Sequence, residues 1–455
     1  MSRCRAIGTQ HLGNISFAQS LAKRYTRQDP PGLSLHLLSE APLQPLSRRK
    51  RMVGLDLGTS KVAAVIAEGD EYGQLNVTGV GEAPCEGLRK GSVVNIEKTV
   101  QAVQQAILIA ERMAGVRSEG VIVSLGGPQI LSRTGQGVIA VSRPDHEIGQ
   151  DDVDRVVEAS RAISIPNDRQ VIHVLPRGFK VDSQEGVKEA VGMNGRRLEV
   201  ETQIVTGSGT AVQNVIKCVH QSGLDVDEVV TQGLASGEGV LTANEMDLGV
   251  CLIDIGAGTS DVALYEESSP MHVAVLPVGG NHVTNDIAIG LRTTLNEAEM
   301  LKLNYGHTLP EVIPHEERID VRQVGGDRLQ PTPRRFLAEI IGPRMREIFH
   351  LAWEEVRRSG YEGPLPAGVV VTGGGARLMG TTDAALAVFD TSVRVGLPTG
   401  VGGLADRVAA PSFAAAVGLC KWGQRAQPAA GRSQAETAAF AGAYQKTVRW
   451  LRDFF

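Results

Sequence analysis

The sequence predicts an α/β fold built from two related halves, and three observations carry that prediction. Residues 53–65 (VGLDLGTSKVAAV) and 251–265 (CLIDIGAGTSDVALY) follow one order: apolar strand, Asp, apolar residue, Gly, small turn, Thr-Ser, second strand. The two copies lie about 200 residues apart, a domain-scale separation. A third element, residues 369–380 (VVVTGGGARLMG), runs from a buried-type strand into Gly373-Gly374-Gly375 and then toward a helix.

Each copy of the repeat reads as a β-hairpin. The residues after the turn, Val62-Ala63-Ala64-Val65 and Val262-Ala263-Leu264-Tyr265, are short, apolar and partly β-branched, which favours a second strand over a helix. The turn composition suits phosphate: glycines let the backbone approach closely, and turn N–H groups with Thr or Ser hydroxyls donate to phosphate oxygens. Asp56 and Asp254 end the first strands, where a carboxylate can hold the waters of a Mg2+ ion. One such turn alone is an ordinary tight hairpin. The Gly373-Gly374-Gly375 turn would let a flat base or ribose lie against bare backbone, although by itself it is equally a strand-to-helix connection with unusual dihedrals. Neither a GxGxxG nor a GxxxxGK[ST] pattern stands at a suitable strand-to-helix junction, so the dinucleotide and P-loop classes lack their fingerprints.

Between the hairpins, residues 96–114 (IEKTVQAVQQAILIAERMA) have helical apolar spacing with Asn95 as N-cap. Strands over 121–125 and 137–141 and a helix from 150 to 162 follow, and residues 86–170 read as a compact α+β unit inserted into the first half. The first half then resumes at residues 171–176 (VIHVLP) and the loop 191–195 (VGMNG). His173 sits in an apolar strand with nothing nearby to complete a triad, and it reads as structural.

At 455 residues, 42% hydrophobic and 21% charged, the chain can fill about two to four packed subdomains. A formal net charge of -5 and a pI near 6.1 give no general pull toward nucleic acid. Cys4, Cys85, Cys218, Cys251 and Cys420 are odd in number and lack metal-ligand or redox spacing, as expected in a reducing cytoplasm. No run of about 18 apolar residues exists to span a bilayer. Residues 1–51 are basic, with eight Lys or Arg up to Lys50 against Asp29 and Glu40, and read as a poorly ordered extension. Met52, directly before the first strand, is the favoured start of the functional chain, with a transit peptide as the alternative.

Two phosphate hairpins with a late glycine turn resemble the actin, Hsp70 and sugar-kinase superfamily, in which two α/β domains close on ATP. The resemblance implies a first phosphate loop of Asp56, Gly58, Thr59, Ser60 and Lys61, and a second of Asp254, Gly256, Ala257, Gly258 and Thr259. It implies an adenosine site at Gly374, Gly375 and Arg377, with Glu299 and Lys302 near the nucleoside from the helix around 296–302 (NEAEMLK). Glu299 and Lys302 read equally as a solvated i, i+3 pair. Chaperone-like relatives carry a water-orienting Glu before a Pro in the connecting segment, and Gln232 occupies that place here. An amide orients water but is a poor general base, so Gln232 implies slow hydrolysis at most, with ATP acting chiefly as a structural ligand.

The order HVLPRGFKVD, AVGMNG, QGLASGEGVL before the second hairpin resembles the FtsA family of bacterial division proteins over nearly all of residues 52–455. The fold so implied is an actin-like two-domain ATPase fold with an inserted subdomain and a C-terminal amphipathic helix. Subdomain 1A would cover 52–85 and 171–249, subdomain 1C 86–170, subdomain 2A 250–285 and 362–423, and subdomain 2B 286–361. Residues 424–438 would be a flexible linker and 439–455 a membrane-targeting helix. The resemblance further implies self-assembly into a polymer, later divisome proteins as partners, and FtsZ taken by subdomain 2B. There Arg334 and Glu339 are candidate contacts, unless they are ordinary exposed helix charges.

The tail carries its own argument. In residues 440–455 (FAGAYQKTVRWLRDFF), Phe440, Tyr444, Val448, Leu451, Phe454 and Phe455 share one helical face with Trp450 at its edge, while Lys446, Arg449, Arg452 and Asp453 take the other. Such a helix lies in the interface of an anionic membrane, so Tyr444, Val448, Arg449, Trp450, Leu451, Arg452, Phe454 and Phe455 are the expected lipid contacts. Docking on the protein's own core is the alternative. The expected place is the cytoplasmic face of the inner membrane, at the septum. Alternatives of the same fold are a pilus-assembly adaptor, which needs no aromatic tail, and a sugar kinase, which needs a positioned base the sequence does not reveal. A chaperone would need a peptide-binding domain after the ATPase, and too few residues follow Lys421.

Overall fold

The computed structural model describes residues 51–70, 73–325 and 329–425. Of the segments expected at the two ends, residues 1–50 and 426–455 lie outside these described residues, and with them the amphipathic helix. Arg51 opens the first strand, and Gln424 and Arg425 close the last helix rather than begin a linker.

In chain order the first half contributes β1 (Arg51–Leu57), β2 (Lys61–Gly69), β3 (Leu75–Pro84), the short β4 (Leu88–Arg89) and β5 (Ser92–Val93), α1 (Ile96–Ala114) and β6 (Gly120–Leu125). There follow β7 (Leu131–Ala140), α2 (Gln150–Ser160), β8 (Arg169–Val181), β9 (Gln184–Val187) and β10 (Arg197–Ser208). Then come α3 (Gly209–Gln221), β11 (Asp225–Thr231), α4 (Gln232–Val240) and α5 (Ala243–Leu248). The second half holds β12 (Val250–Ile255), β13 (Ser260–Glu266), β14 (Ser269–Leu276), α6 (Gly280–Leu291), α7 (Leu295–Tyr305), β15 (Arg318–Arg322), β16 (Leu329–Pro333) and α8 (Arg334–Arg358). It ends in β17 (Val369–Thr372), α9 (Thr381–Phe389) and β18 (Val393–Val395), after which β19 (Val401–Gly403), α10 (Ala405–Val408) and α11 (Ala414–Arg425) return to the first half.

The duplication extends beyond the hairpins to whole sheets. The first sheet runs β11-β6-β1-β2-β3-β19 and the second β14-β13-β12-β17-β18. In each, three antiparallel strands are followed by parallel neighbours. The innermost strands are buried on both faces, as such a sheet requires. α1 forms where its spacing predicts: Asn95 accepts the Lys98 N–H at 2.9 Å, and Gly115 ends the helix at φ 68°. It lies directly on the backbone of β3, where a Cβ at Gly81 would overlap the Ala106 carbonyl.

The inserted unit departs from its expected bounds of 86–170. α1 and β6 belong to the first half itself, since β6 pairs in parallel with both β1 and β11. The separate sheet is β7-β10-β8-β9, covered by α2. Residues 171–176, expected to resume the first half, instead begin β8 of this sheet. Its long strands β8 and β10 serve two cores. Ile172 and Val205 join the core of the first half, whereas Phe179, Val181, Leu198 and Val200 pack with Val153, Val156 and Val157 of α2.

Candidate functional site

The two hairpin turns are built alike. The Gly58 N–H donates to the Lys61 carbonyl at 3.0 Å and the Gly256 N–H to the Thr259 carbonyl at 2.9 Å. The turns face one another: a Cβ on Gly258 would stand 2.6 Å from Thr59 Oγ1, which itself accepts the Gly91 N–H at 3.1 Å. Ser60 is exposed beside Thr59, and the Ala257 carbonyl accepts the Asn281 N–H at 2.7 Å.

Beneath the turns, α4 brings both halves together. Gln232, its first residue, sets Oε1 against Gly126 at the end of β6; Gly233 packs on Asp261; and the Ser236 hydroxyl donates to Asp254. Asp254 and Asp261 are direct cross-strand partners in the β12–β13 hairpin, both buried. Asp56 is buried at the equivalent place in the first sheet, accepting from the Ser124 hydroxyl at 2.8 Å.

These carboxyls hold their protons unusually well. Burial pushes Asp254 up to about 7, with the Asp56 charge adding to the rise and the Ser236 hydrogen bond opposing it. Burial likewise raises Asp261 well above the ordinary range, reinforced by the charges of Asp254 and Asp56. Asp56 is raised by burial and pulled partly back by the Ser124 hydrogen bond and the Lys61 charge. Asp261 Oδ1 has no hydrogen-bond partner among the described residues. A pair of like charges placed opposite one another in a sheet, out of water, is costly unless a proton or cation is supplied.

Asp261 escaped the sequence reading. Its signal was present: the second copy reads Thr-Ser-Asp where the first reads Thr-Ser-Lys, and an acid opening an otherwise apolar strand is out of place. Lys61, expected on the phosphate loop, is held elsewhere. Its ammonium pairs with Glu82, donates to Ser412 Oγ at 3.1 Å and lies 4.5 Å from the Phe413 ring centroid. Its charge bears on the site through its field at Asp56, and its carbonyl closes the first turn.

Glu299 and Lys302 do adjoin the second turn. Lys302 Nζ donates to the Gly280 carbonyl at 3.1 Å and Thr284 Oγ1 at 2.8 Å, and pairs with Glu299 at 2.7 Å. Gly280 in turn donates its N–H to the Gly256 carbonyl at 2.9 Å. The late glycine turn lies against the same hairpin. A Cβ on Gly373, at φ 80°, would overlap Asp254 Oδ1, and one on Gly375 would overlap Ile255, while Gly374 faces open space. Arg377 is exposed on the short helix Gly374–Arg377.

Arg334 and Glu339 both start α8 but differ in surroundings. Arg334 is tied to Glu317 at 2.8 Å and to the Tyr305 carbonyl at 2.9 Å, anchoring the helix start. Glu339 is exposed, with Arg335 at 3.5 Å. His173 is structural, as expected: it is buried, and Nε2 accepts the Thr231 N–H at 3.2 Å.

Two family models match the chain: "Cell division protein FtsA" over residues 251–418, and "SHS2 domain inserted in FTSA" over 127–206. The second falls on β7 through most of β10, the separate sheet described above. The cell division protein FtsA of Pseudomonas aeruginosa is 42% identical over 412 residues, covering 89% of this chain and 98% of its own. That of Escherichia coli K12 is 37% identical over 417 residues, covering 90% and 99%. Among solved structures, the PilM-PilN type IV pilus biogenesis complex superposes with a TM-score of 0.59 at 19% identity, covering 84% of this chain and 100% of that one, a likeness of fold alone.

Proposed function

The chain belongs to the FtsA family of bacterial cell division proteins, with the actin-like fold and its inserted SHS2 domain, and from that premise we propose that it is an ATP-binding, polymerising adaptor holding FtsZ filaments on the inner membrane. Recruitment of later division proteins would follow from that placement at the septum. A role in cell division comes with the family; ATP, Mg2+, lipid, FtsZ and self-association are our reading.

One observation carries the nucleotide reading: two matched turns face one another above three buried carboxyls whose charges act on each other, two of which touch α4 through Gly233 and Ser236. Residues 58–60 and 256–259 offer N–H groups and hydroxyls to phosphate oxygens. Lys302 adds a positive charge beside the second turn, and Gly374, Gly375, Arg377 and Glu299 line the side where adenosine would lie. The crowded carboxylates favour a hard cation, and Asp56 and Asp254 would hold it through its waters. Mg2+ bound there would neutralise charge on the phosphates. Gln232 can orient a water but cannot take its proton at neutral pH, which supports a nucleotide that governs assembly over rapid turnover. A turnover of about 1 per second or faster would refute that.

Membrane attachment rests on the amphipathic pattern of residues 439–455. One such helix binds weakly, and a polymer presenting many binds by avidity. The decisive test mixes the full chain, Mg·ATP, anionic vesicles and FtsZ. FtsZ should pellet with vesicles only when this chain is present, and deletion of residues 444–455 should abolish pelleting of both proteins. Pelleting unchanged by the deletion overturns the anchor; FtsZ left in the supernatant overturns the adaptor.

A further inference from the structure

α4, which carries Gln232, packs tightly against α11, the last helix of the described chain. The two helices meet nearly backbone to backbone: a Cβ on Gly418 would overlap the Ala235 carbonyl, and one on Gly239 the Ala414 carbonyl. Lys421 of α11 donates to the Glu238 carbonyl at 2.9 Å. Trp422 is the next residue of α11.

Trp422 reaches the site through two contacts. Its ring packs on His173, centroid to centroid 5.2 Å at 55°. Its Nε1–H donates to Glu228 Oε1 at 3.0 Å, and Glu228 belongs to β11, the strand that delivers Thr231 and Gln232. His173 in turn takes the Thr231 N–H on Nε2 at 3.2 Å. Burial drives its pKa down to about 3, so that lone pair is free to accept at any neutral pH. Thr231 caps α4 without a side-chain cap hydrogen bond, so the His173 contact fixes the backbone immediately before Gln232.

We propose that His173 and Trp422 are positioning residues for the nucleotide cleft, through which α11 sets the placement of Gln232 and the cleft reports back to α11. The proposal rests on the ATP reading above and adds regulation of that site. Coupling of this kind is reciprocal: a nucleotide that shifts Gln232 must alter the surroundings of Trp422, and a change at Trp422 must alter nucleotide binding.

The test uses the full chain with Trp353→Phe and Trp450→Phe, which leaves Trp422 as the single indole of the original three. Mg·ATP is titrated while Trp422 emission is followed, and binding is measured in parallel by calorimetry. Emission should change with the calorimetric midpoint. His173→Leu, which removes the acceptor, should weaken Mg·ATP binding about tenfold and abolish the emission change. His173→Gln, which keeps a polar atom near the Nε2 position, should restore binding to within about twofold. In a double-mutant cycle, Trp422→Phe and Gln232→Ala should be clearly non-additive in nucleotide dissociation rate. If nucleotide binds while emission stays flat and His173→Leu binds as the parent does, the proposal is overturned and the ATP reading stands. If the parent chain binds no nucleotide, both fall.

Discussion

Replacing Asp254 by Asn should remove a pH dependence of stability that the buried carboxylates create. In the folded chain the Asp254 proton leaves near 7, against an ordinary value of 3.8. Because the folded group holds its proton more tightly than the unfolded one, its stabilisation is complete below about pH 4 and is lost as pH climbs through about 7. Each pH unit between costs about 1.4 kcal/mol, so the loss from pH 5 to pH 8 is roughly 3 kcal/mol. An amide of the same shape still accepts the Ser236 hydroxyl and fits against Gly373, but has no proton to lose. Urea unfolding of the nucleotide-free chain at pH 5 and pH 8 should therefore show the parent losing roughly 3 kcal/mol more than Asp254→Asn. Saturating Mg·ATP at pH 8 should then stabilise the parent more than the variant, since only the parent offers the carboxylate to the hydrated cation. Parallel stability losses in the two proteins without nucleotide would refute the account of the buried pair.

Glu228→Gln makes the same argument at the α11 contact. Burial raises the Glu228 carboxyl to about 8 from an ordinary 4.5, so its stabilisation fades as pH rises from 4.5 through 8, and the variant should escape a loss of roughly 3 kcal/mol between pH 6 and 8. Denaturant midpoints at those two pH values check it. Lys302→Met removes the charge shared by Gly280, Thr284 and Glu299, and should weaken Mg·ATP binding about tenfold by calorimetry with little change in fold. Gly239→Ala raises helix propensity by about 1 kcal/mol, yet its Cβ would overlap the Ala414 carbonyl, and the net effect should be a loss of about 2 kcal/mol. A rise in the urea midpoint for that variant would contradict the tight α4–α11 packing.

The two hairpins, α1 with its Asn95 cap and the glycine turn were legible because each depends on local chemistry: strand alternation, a capping side chain, turn residues. The bounds of the inserted unit were not. α1 is amphipathic wherever it packs, and β6 is a short apolar run, so neither pattern tells which sheet receives it. β8 misled for the opposite reason: its first residues help fill the core of the first half, as its apolar start suggests, while the same strand continues into the other sheet. The side-chain partners of Lys61 were not legible, because a basic residue after a phosphate-type turn gives no sign of Glu82 and Ser412, which lie about 20 and 350 residues away in the chain.

α4 shows why the centre of the site was hardest to read. Three of its nine residues are glycine, and its propensity alone argues against a helix by about 1 kcal/mol for each. Those glycines and the small residues between them are what allow the helix to touch everything at once. Gly233 lies on Asp261, Ser236 reaches Asp254, Gly237 meets the Tyr265 hydroxyl, and Ala235 and Gly239 take α11 at backbone distance. A helix chosen for propensity would hold these partners apart. The sequence QGLASGEGV therefore makes a poor helix in isolation and a tight joint in the folded chain, where the second hairpin, β6, β11 and α11 define its position. Gln232 opens this helix, so its position is set by the same contacts that hold the joint.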